Sequence, residues 1–115
     1  MKQLLILIPS NVELKKLDLG WPEFLSAAEK MPGLIRESIT TVSRSLSGTS
    51  PILRCYSFIF PDQQTLQEGL TSPSGQEAGK IIHQLTDGKG IILTADYLED
   101  EISNINKFRS GDATG

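Results

Sequence analysis

Apolar residues in this chain occur both as short continuous runs and as stretches with helical spacing. The first run, Leu4–Ile8, is aliphatic and is followed by a proline, which predicts a short strand buried on both faces. A polar connection is predicted over residues 11–19. A helix is then predicted from Trp21, with Pro22 in its first turn and an end at Pro32-Gly33. Its apolar residues follow the spacing i, i+3, i+4, i+7: Trp21, Phe24, Leu25 and Ala28.

Two strands joined by a turn are predicted in the middle of the chain. Residues 34–46 are rich in Ile, Thr, Val and Ser without helical spacing, and residues 52–60 form a second run of the same character. The cluster of Ser, Gly, Thr and Pro over residues 47–51 is typical of a turn. The two runs are therefore expected to pair as a hairpin.

Two helix starts are predicted after the hairpin. Asp62 suits the N-cap of a short helix, because its carboxylate can accept hydrogen bonds from the first turn. Ser72 and Pro73 suit the N-cap and first position of a second helix. Ser74 and Glu77 also have capping-box spacing, so the second helix could instead begin two residues later.

The predicted order β-α-β-β-α-β is that of a ferredoxin-like α+β fold, in which two helical segments cover one face of a four-stranded antiparallel sheet. The last strand, residues 90–97, follows a helix end at Asp87-Gly88. Its more apolar set is expected to face the helices, and its mixed set to line a wet cavity or an interface. The first set is Ile91, Leu93, Ala95 and Tyr97, and the second is Gly90, Ile92, Thr94 and Asp96.

Length, charge and cysteine content further limit the class of protein to which this chain can belong. The chain has 115 residues and a net charge of −3, which suits one domain without a strong positive field for nucleic acid. We expect a folded domain over residues 1–98 and a loose C-terminal extension over 99–115. Leu4–Ile8 is too short for a signal peptide or a membrane span, so a cytoplasmic protein is expected. The single Cys55 is interpreted as a buried structural residue rather than a nucleophile.

Three short segments resemble the EthD-like family, named for ethyl tert-butyl ether degradation, of the dimeric α+β barrel superfamily. They are MPGL at residues 31–34, FPD at residues 60–62 and LTSPSGQ at residues 70–76. The resemblance covers residues 1–97, most of the expected domain. It implies a homodimer whose open sheet faces pack together into a barrel, with the barrel interior as the candidate site.

The resemblance also implies a range of reactions. Related families include cofactor-free monooxygenases, lactone isomerases, cyclases and haem-degrading enzymes. An enzyme here would therefore be of the cofactor-independent oxygenase, isomerase or cyclase type, and no cofactor is expected. The family often carries a histidine on the first helix, at the position that Phe24 occupies in this chain. This departure weighs against a histidine-dependent reaction.

Candidate ligand-binding residues come from the alternation of the strands and from the first helix. Arg54, Tyr56 and Phe58 share one face of a strand and would provide aromatic walls and one cation if that face were open. Such a lining suits a small apolar or aromatic metabolite with an anionic or carbonyl group. Packing within a dimer interface explains the same residues equally well. The full candidate set is Arg54, Tyr56, Phe58, Thr94, Trp21 and Phe24.

Asp96 is the one weak candidate for a catalytic residue. A carboxylate in a covered cavity can have a raised pKa and transfer protons, although an aspartate that merely ends a strand is the simpler interpretation. His83 lies opposite the apolar stripe of its helix and is expected to face solvent rather than act as a base. No second soft ligand accompanies it at motif spacing, so no metal site is predicted.

Three functional hypotheses remain open. The leading one is binding of a small apolar or aromatic metabolite in a dimeric barrel, with or without cofactor-free conversion. The second is a non-catalytic accessory or assembly domain, since no paired acid and base are evident. The third is an RNA-recognition-like module, because residues 54–60, RCYSFIF, partly resemble the RNP1 consensus. Cys55 and Ser57 replace its glycines, and the acidic net charge weakens any attraction to phosphate.

Overall fold

The computed structural model describes residues 1–99 and has the predicted ferredoxin-like α+β fold. Its elements in chain order are β1 (Lys2–Pro9), α1 (Leu14–Ala28), β2 (Arg36–Thr41), β3 (Ile52–Phe60), α2 (Gln63–Thr71), α3 (Pro73–Leu85) and β4 (Ile91–Asp96). The sheet order is β2-β3-β1-β4, and each neighbouring pair is antiparallel. The predicted C-terminal extension, apart from its first residue, lies outside the described residues. No helix within residues 1–99 is long and apolar enough to cross a membrane.

Helix α1 begins earlier than the sequence pattern indicated. It starts at Leu14 rather than Trp21, so the polar connection predicted over residues 11–19 was wrong. The apolar stripe extends back to the buried Leu17, one turn before Trp21, and this burial offsets a start without a side-chain cap. Pro22 therefore lies inside the helix rather than in its first turn, and its missing N–H leaves one carbonyl of the preceding turn without a helical partner.

Strand β2 is shorter than predicted. The strand ends at Thr41, and residues 42–51 form a long connection instead of the compact turn expected over 47–51. Every residue of β2 is exposed, and its sequence RESITT lacks the apolar alternation that would anchor a longer strand. By contrast, β3 has the predicted bounds, Ile52–Phe60, and its second half is buried.

The predicted helix caps are confirmed. The Asp62 carboxylate accepts a hydrogen bond from the backbone N–H of Thr65 at 2.8 Å, and the Ser72 hydroxyl oxygen accepts one from the N–H of Gly75 at 3.0 Å. The second helix therefore starts at Pro73, and the later capping-box start is not used. After α3 the chain reverses through Asp87 and Gly88, with φ values of 52° and 75°.

The registers of β1 determine which face of the sheet meets the helices. Leu4, Ile6 and Ile8 are buried against the helices, and Leu4 pairs with Phe58 on one side and Thr94 on the other. The face of β3 that carries Arg54, Tyr56 and Phe58 is therefore covered by the helices and is not an open face. The expected faces of β4 are also reversed, since its mixed set lies on the helix side. This strand is at the sheet edge, where its side chains remain exposed and need not be apolar.

The opposite face of the sheet carries an apolar surface without a helix over it. Leu5 and Leu7 of β1 are half-buried there, and Ile91 and Leu93 of β4 are exposed beside them. The predicted burial of β1 on both faces is therefore complete only on the helix side, and on the other face its side chains are half-buried within a single chain. We call this surface, formed by Leu5, Leu7, Ile91 and Leu93, the open sheet face.

A close backbone approach explains one glycine at the junction of α2 and α3. A Cβ atom placed on Gly75 would lie 2.1 Å from the carbonyl oxygen of Gly69, far inside van der Waals contact. Gly79, one helical turn later, has no atom within 4 Å of the corresponding position. The two glycines therefore stand in the same helix for different reasons.

We predict opposite effects of alanine at these two glycines. Gly75→Ala forces α2 and α3 apart and should lower the free energy of unfolding by about 2 kcal/mol or more. Gly79→Ala meets no obstacle and should raise it by up to about 1 kcal/mol, because alanine favours the helix. Urea unfolding followed by circular dichroism measures both values. A Gly75→Ala variant as stable as wild type would disprove the proposed close approach.

Candidate functional site

A small apolar cavity lies between the helices and the sheet. Its volume is about 40 Å³, and its walls come from β1, β3, β4, α1, α2, α3 and the turn after α1. It reaches the edge strand at Ile92, whose exposed fraction is 52%. All of its lining residues are apolar: Leu4, Ile6, Phe24, Ala28, Met31, Phe58, Leu70, Gly75, Ala78, Gly79, Ile82 and Ile92.

Small residues on the helices create much of this space. Ala28 on α1 and Ala78 on α3 are buried in the wall, where a larger side chain would fill the cavity. Gly79 has free space beside its Cα, although glycine in a helix interior is less favourable than alanine by about 1 kcal/mol. The packing within residues 1–99 therefore gives no steric reason for glycine at this position.

A cluster of aromatic rings continues the wall of the cavity towards β2. The Phe24 and Phe58 rings line the cavity, with centroids 6.3 Å apart. Tyr56 packs 5.0 Å from Phe58, and Trp21 packs 5.1 Å from Tyr56. These tilted and edge-on contacts are typical of stable aromatic pairs. Of the predicted ligand-binding residues, Phe24 and Phe58 thus reach the cavity, whereas Trp21 and Tyr56 lie behind them.

Arg54 closes the outer end of the aromatic cluster. Its guanidinium carbon lies 5.9 Å from the centroid of the Trp21 ring, and its Nη1 atom lies 2.8 Å from an Asp18 carboxylate oxygen. The cation is therefore held by α1 and does not line the cavity. Its contacts support a structural role in joining α1 to β3.

The environment of Tyr56 includes two acidic residues, Glu29 and Glu37. Burial raises the pKa of the Tyr56 phenol to about 12, and the negative charges of Glu37 and Glu29 act in the same direction. The carboxyl groups of Glu29 and Glu37 are within hydrogen-bonding reach of each other, and burial and this contact raise the pKa of Glu37. Sequence reasoning missed the pair because Glu29 follows a helix and Glu37 lies on a separate strand.

Thr94 and Asp96 lie on the helix side of β4 but outside the cavity wall. Asp96 is the last residue of the strand and is exposed. A hydrogen bond from Lys2 and the charge of that lysine lower the pKa of Asp96, which is opposite to the shift that a catalytic acid would need. Its geometry matches the simpler interpretation of an aspartate that ends a strand.

The remaining chemically reactive side chains lie away from the cavity. His83 is exposed on α3, as predicted. Cys55 is half-buried on the sheet face opposite the helices, where burial raises the pKa of its thiol and disfavours the reactive thiolate. Within residues 1–99 no three His, Cys, Asp or Glu side chains converge as metal ligands.

The RNA-recognition hypothesis depends on exposed aromatic rings on the third strand. Tyr56 and Phe58 are buried under the helices, and the other face of β3 presents Cys55, Ser57 and Ile59 instead. Bases cannot stack on buried rings, so the resemblance of this strand to RNP1 provides no binding platform.

Comparisons with known proteins identify the fold but not a family. No family model matches the sequence, and no curated protein matches it. Among solved structures, an EthD family protein from Bacillus halodurans superposes with a TM-score of 0.78 at 18% identity, covering 85% of this chain and 99% of that one. In fold, this chain resembles an EthD family protein.

Two further structures share the EthD-like fold at lower similarity. A dimeric ferredoxin-like protein of unknown function from Jannaschia sp. has a TM-score of 0.60 at 17% identity, over 84% of this chain and 97% of that one. SnoaB, a cofactor-independent oxygenase from Streptomyces nogalater, has a TM-score of 0.60 at 8% identity, over 88% of this chain and 95% of that one. At these identities the likeness concerns the fold alone.

The shifted titration of Tyr56 can be measured directly. In a Tyr97→Phe variant, Tyr56 is the only tyrosine. Its ultraviolet tyrosinate absorbance should appear with a pKa of about 12 in the folded protein, compared with about 10 in urea. Because the folded pKa is raised, the neutral phenol stabilises the fold fully below pH 10, and this contribution is lost between about pH 10 and 12. A folded-state pKa near 10, read immediately after a pH jump, would contradict the burial of this ring.

Proposed function

We propose that this protein binds a small apolar molecule in the cavity between its helices and its sheet. The observation that carries the proposal is the glycine at position 79, which leaves an unfilled space in an otherwise well-packed helix face. An entirely apolar lining favours an apolar occupant, because polar groups placed there would lose hydrogen bonds with water. The exposed Ile92 at the edge strand offers a path of entry.

The cavity size limits what can enter without rearrangement. Its volume of about 40 Å³ is well below the roughly 150 Å³ of an engineered cavity that binds benzene. A xenon atom or a small aliphatic group fits this description more closely than a large aromatic ring. Met31 and Leu70 in the wall have flexible side chains, and their movement would enlarge the space for a longer ligand.

Binding is better supported than catalysis at this cavity. The lining side chains contain no acid, base or nucleophile, so a cofactor-free conversion would depend on groups beyond the cavity wall. A similar fold occurs in a protein described as a cofactor-independent oxygenase, which supports a small-molecule site in this fold. A non-catalytic accessory or assembly domain is the second candidate, and the lack of an acid, a base or a nucleophile in the cavity lining favours it.

We further propose that the protein is a homodimer that covers the open sheet face. Leu93 is 44% exposed there next to Ile91 and Leu7, which places an apolar patch on the surface of a single chain. Burial of such a patch by a second copy adds hydrophobic stabilisation that a small domain needs. A similar fold occurs in proteins described as dimeric.

The cavity proposal is tested by filling the space beside Gly79. Gly79→Leu should place a side chain in the cavity and weaken the binding of xenon at least ten-fold, as measured by xenon-induced amide shifts in ¹H–¹⁵N spectra. Gln84→Leu adds the same side chain at an exposed position of α3 and should leave binding unchanged. Equal shifts in both variants, or none in wild type, would rule out a ligand in this cavity.

The dimer proposal is tested with two exposed leucines. Leu93→Lys places a charge on the open sheet face and should convert a dimer at micromolar concentration into a monomer. Leu19→Lys places the same charge on α1, where the leucine is 83% exposed, and should leave the dimer intact. Light scattering measures both masses, and a monomeric wild type would refute the proposal.

A further inference from the structure

The apolar cavity reaches the edge strand β4 next to a row of polar side chains. Ile92 lines the cavity and is 52% exposed, and Thr94 follows it on the same side of the strand. Thr94 is exposed and pairs with Leu4, which also lines the cavity. Two residues along a strand span about 7 Å. The threonine hydroxyl therefore lies beside the cavity wall, at the edge where Ile92 is open to solvent.

An ion pair continues this row beyond Thr94. Lys2 and Asp96 are partners across β1 and β4 on the helix side, and the Lys2 ammonium donates a hydrogen bond to the Asp96 carboxylate. The lysine side chain is 31% exposed and the aspartate side chain 87%, so both can reach a further partner. An ammonium has three N–H donors and a carboxylate has two acceptor oxygens. Neither group is therefore saturated by the other.

These side chains favour a neutral ligand group that both donates and accepts hydrogen bonds. A ligand carboxylate would meet the like charge of Asp96, and a ligand ammonium would meet that of Lys2. A ligand hydroxyl avoids both repulsions, because it can accept a hydrogen bond from Lys2 and donate one to Asp96 or Thr94. Hydrogen bonds to charged partners are also stronger than those between neutral groups. The ion pair thus discriminates by charge although its own net charge is zero.

We propose that the protein binds a short primary alcohol, with the alkyl chain in the cavity and the hydroxyl between Thr94 and the Lys2–Asp96 pair. This inference rests on the proposed apolar cavity and adds the chemical class of its ligand. The hydroxyl lies outside the apolar wall, so the ligand buries no polar group without a partner. The cavity volume of about 40 Å³ limits the buried part to a short alkyl chain.

The ligand class is tested by titration of the whole protein with n-butanol, followed by amide shifts in ¹H–¹⁵N spectra. We expect saturable shifts at residues 92–96 and at Gly79. Methyl n-propyl ether has the same atoms but no O–H donor, and butyrate and n-butylammonium carry a charge at the same end of the chain. Each of these three should bind at least ten-fold more weakly than n-butanol. Equal binding of the ether or of butyrate would overturn the proposal.

Two variants assign the hydroxyl to its partners. Lys2→Met should weaken n-butanol binding at least ten-fold, and Thr94→Val several-fold, while xenon binding stays unchanged. Lys2→Met should also strengthen the binding of n-butylammonium, since Asp96 then lacks its cation. Lys15→Met and Thr40→Val change exposed residues away from the cavity and should affect neither alcohol nor xenon. If the variants at Lys2 and Thr94 behave like these controls, the proposal is wrong.

Xenon separates this inference from the cavity proposal on which it rests. If xenon binds but n-butanol binds no more tightly than the ether, the cavity stands and the alcohol assignment fails. If xenon does not bind to the wild-type protein, both proposals fail. Gly79→Leu should weaken n-butanol binding as it does that of xenon, and an unchanged affinity for n-butanol would show that the alkyl chain lies elsewhere, contrary to the proposal.

Discussion

The antiparallel pairing of β1 with both of its neighbours is the constraint on which the rest of the structure depends. This strand lies between β3 and β4, so its alternation sets the face of every side chain in those strands. Leu4, Ile6 and Ile8 fill the space under the helices, and their partners on β3 must follow. The aromatic cluster is therefore internal, and the cavity forms between that cluster and α3.

Small residues on the helices decide where this core remains incomplete. Gly75 lets α3 start in contact with the end of α2. The small residues Ala28, Ala78 and Gly79 leave space in the wall of the cavity. A continuous set of leucines at these positions would close the interior, as dense packing normally does. Small residues thus have two separate effects, since Gly75 allows two helices to meet and Ala28, Ala78 and Gly79 leave a space unfilled.

Much of the fold could be predicted from local signals. The caps at Asp62 and Ser72 and the bounds of β3 follow from short-range chemistry that tertiary contacts reinforce. The start of α1 was missed because Glu13 provides no side-chain cap to mark it and because Pro22 is typical of a first helical turn, although Pro22 lies inside the helix. The length of β2 was predicted wrongly because all six of its residues are exposed at the sheet edge, so no burial pattern indicates where the strand ends.

The candidate site was harder to predict than the fold. Strand alternation placed Tyr56 and Phe58 correctly on one face, but the sequence of β3 alone did not tell which face the helices cover. That choice depends on the registers of β1, which are long-range contacts. The Glu29–Glu37 contact has the same character, since it joins a helix end to an edge strand.

The apolar outer side of β1 also affects how the protein responds to dilution. Leu5 and Leu7 are only half-buried in one chain, so part of the burial available to the central strand requires a second molecule. If association supplies that burial, the free energy of unfolding includes a term that grows with the logarithm of protein concentration. The melting temperature would then rise with protein concentration.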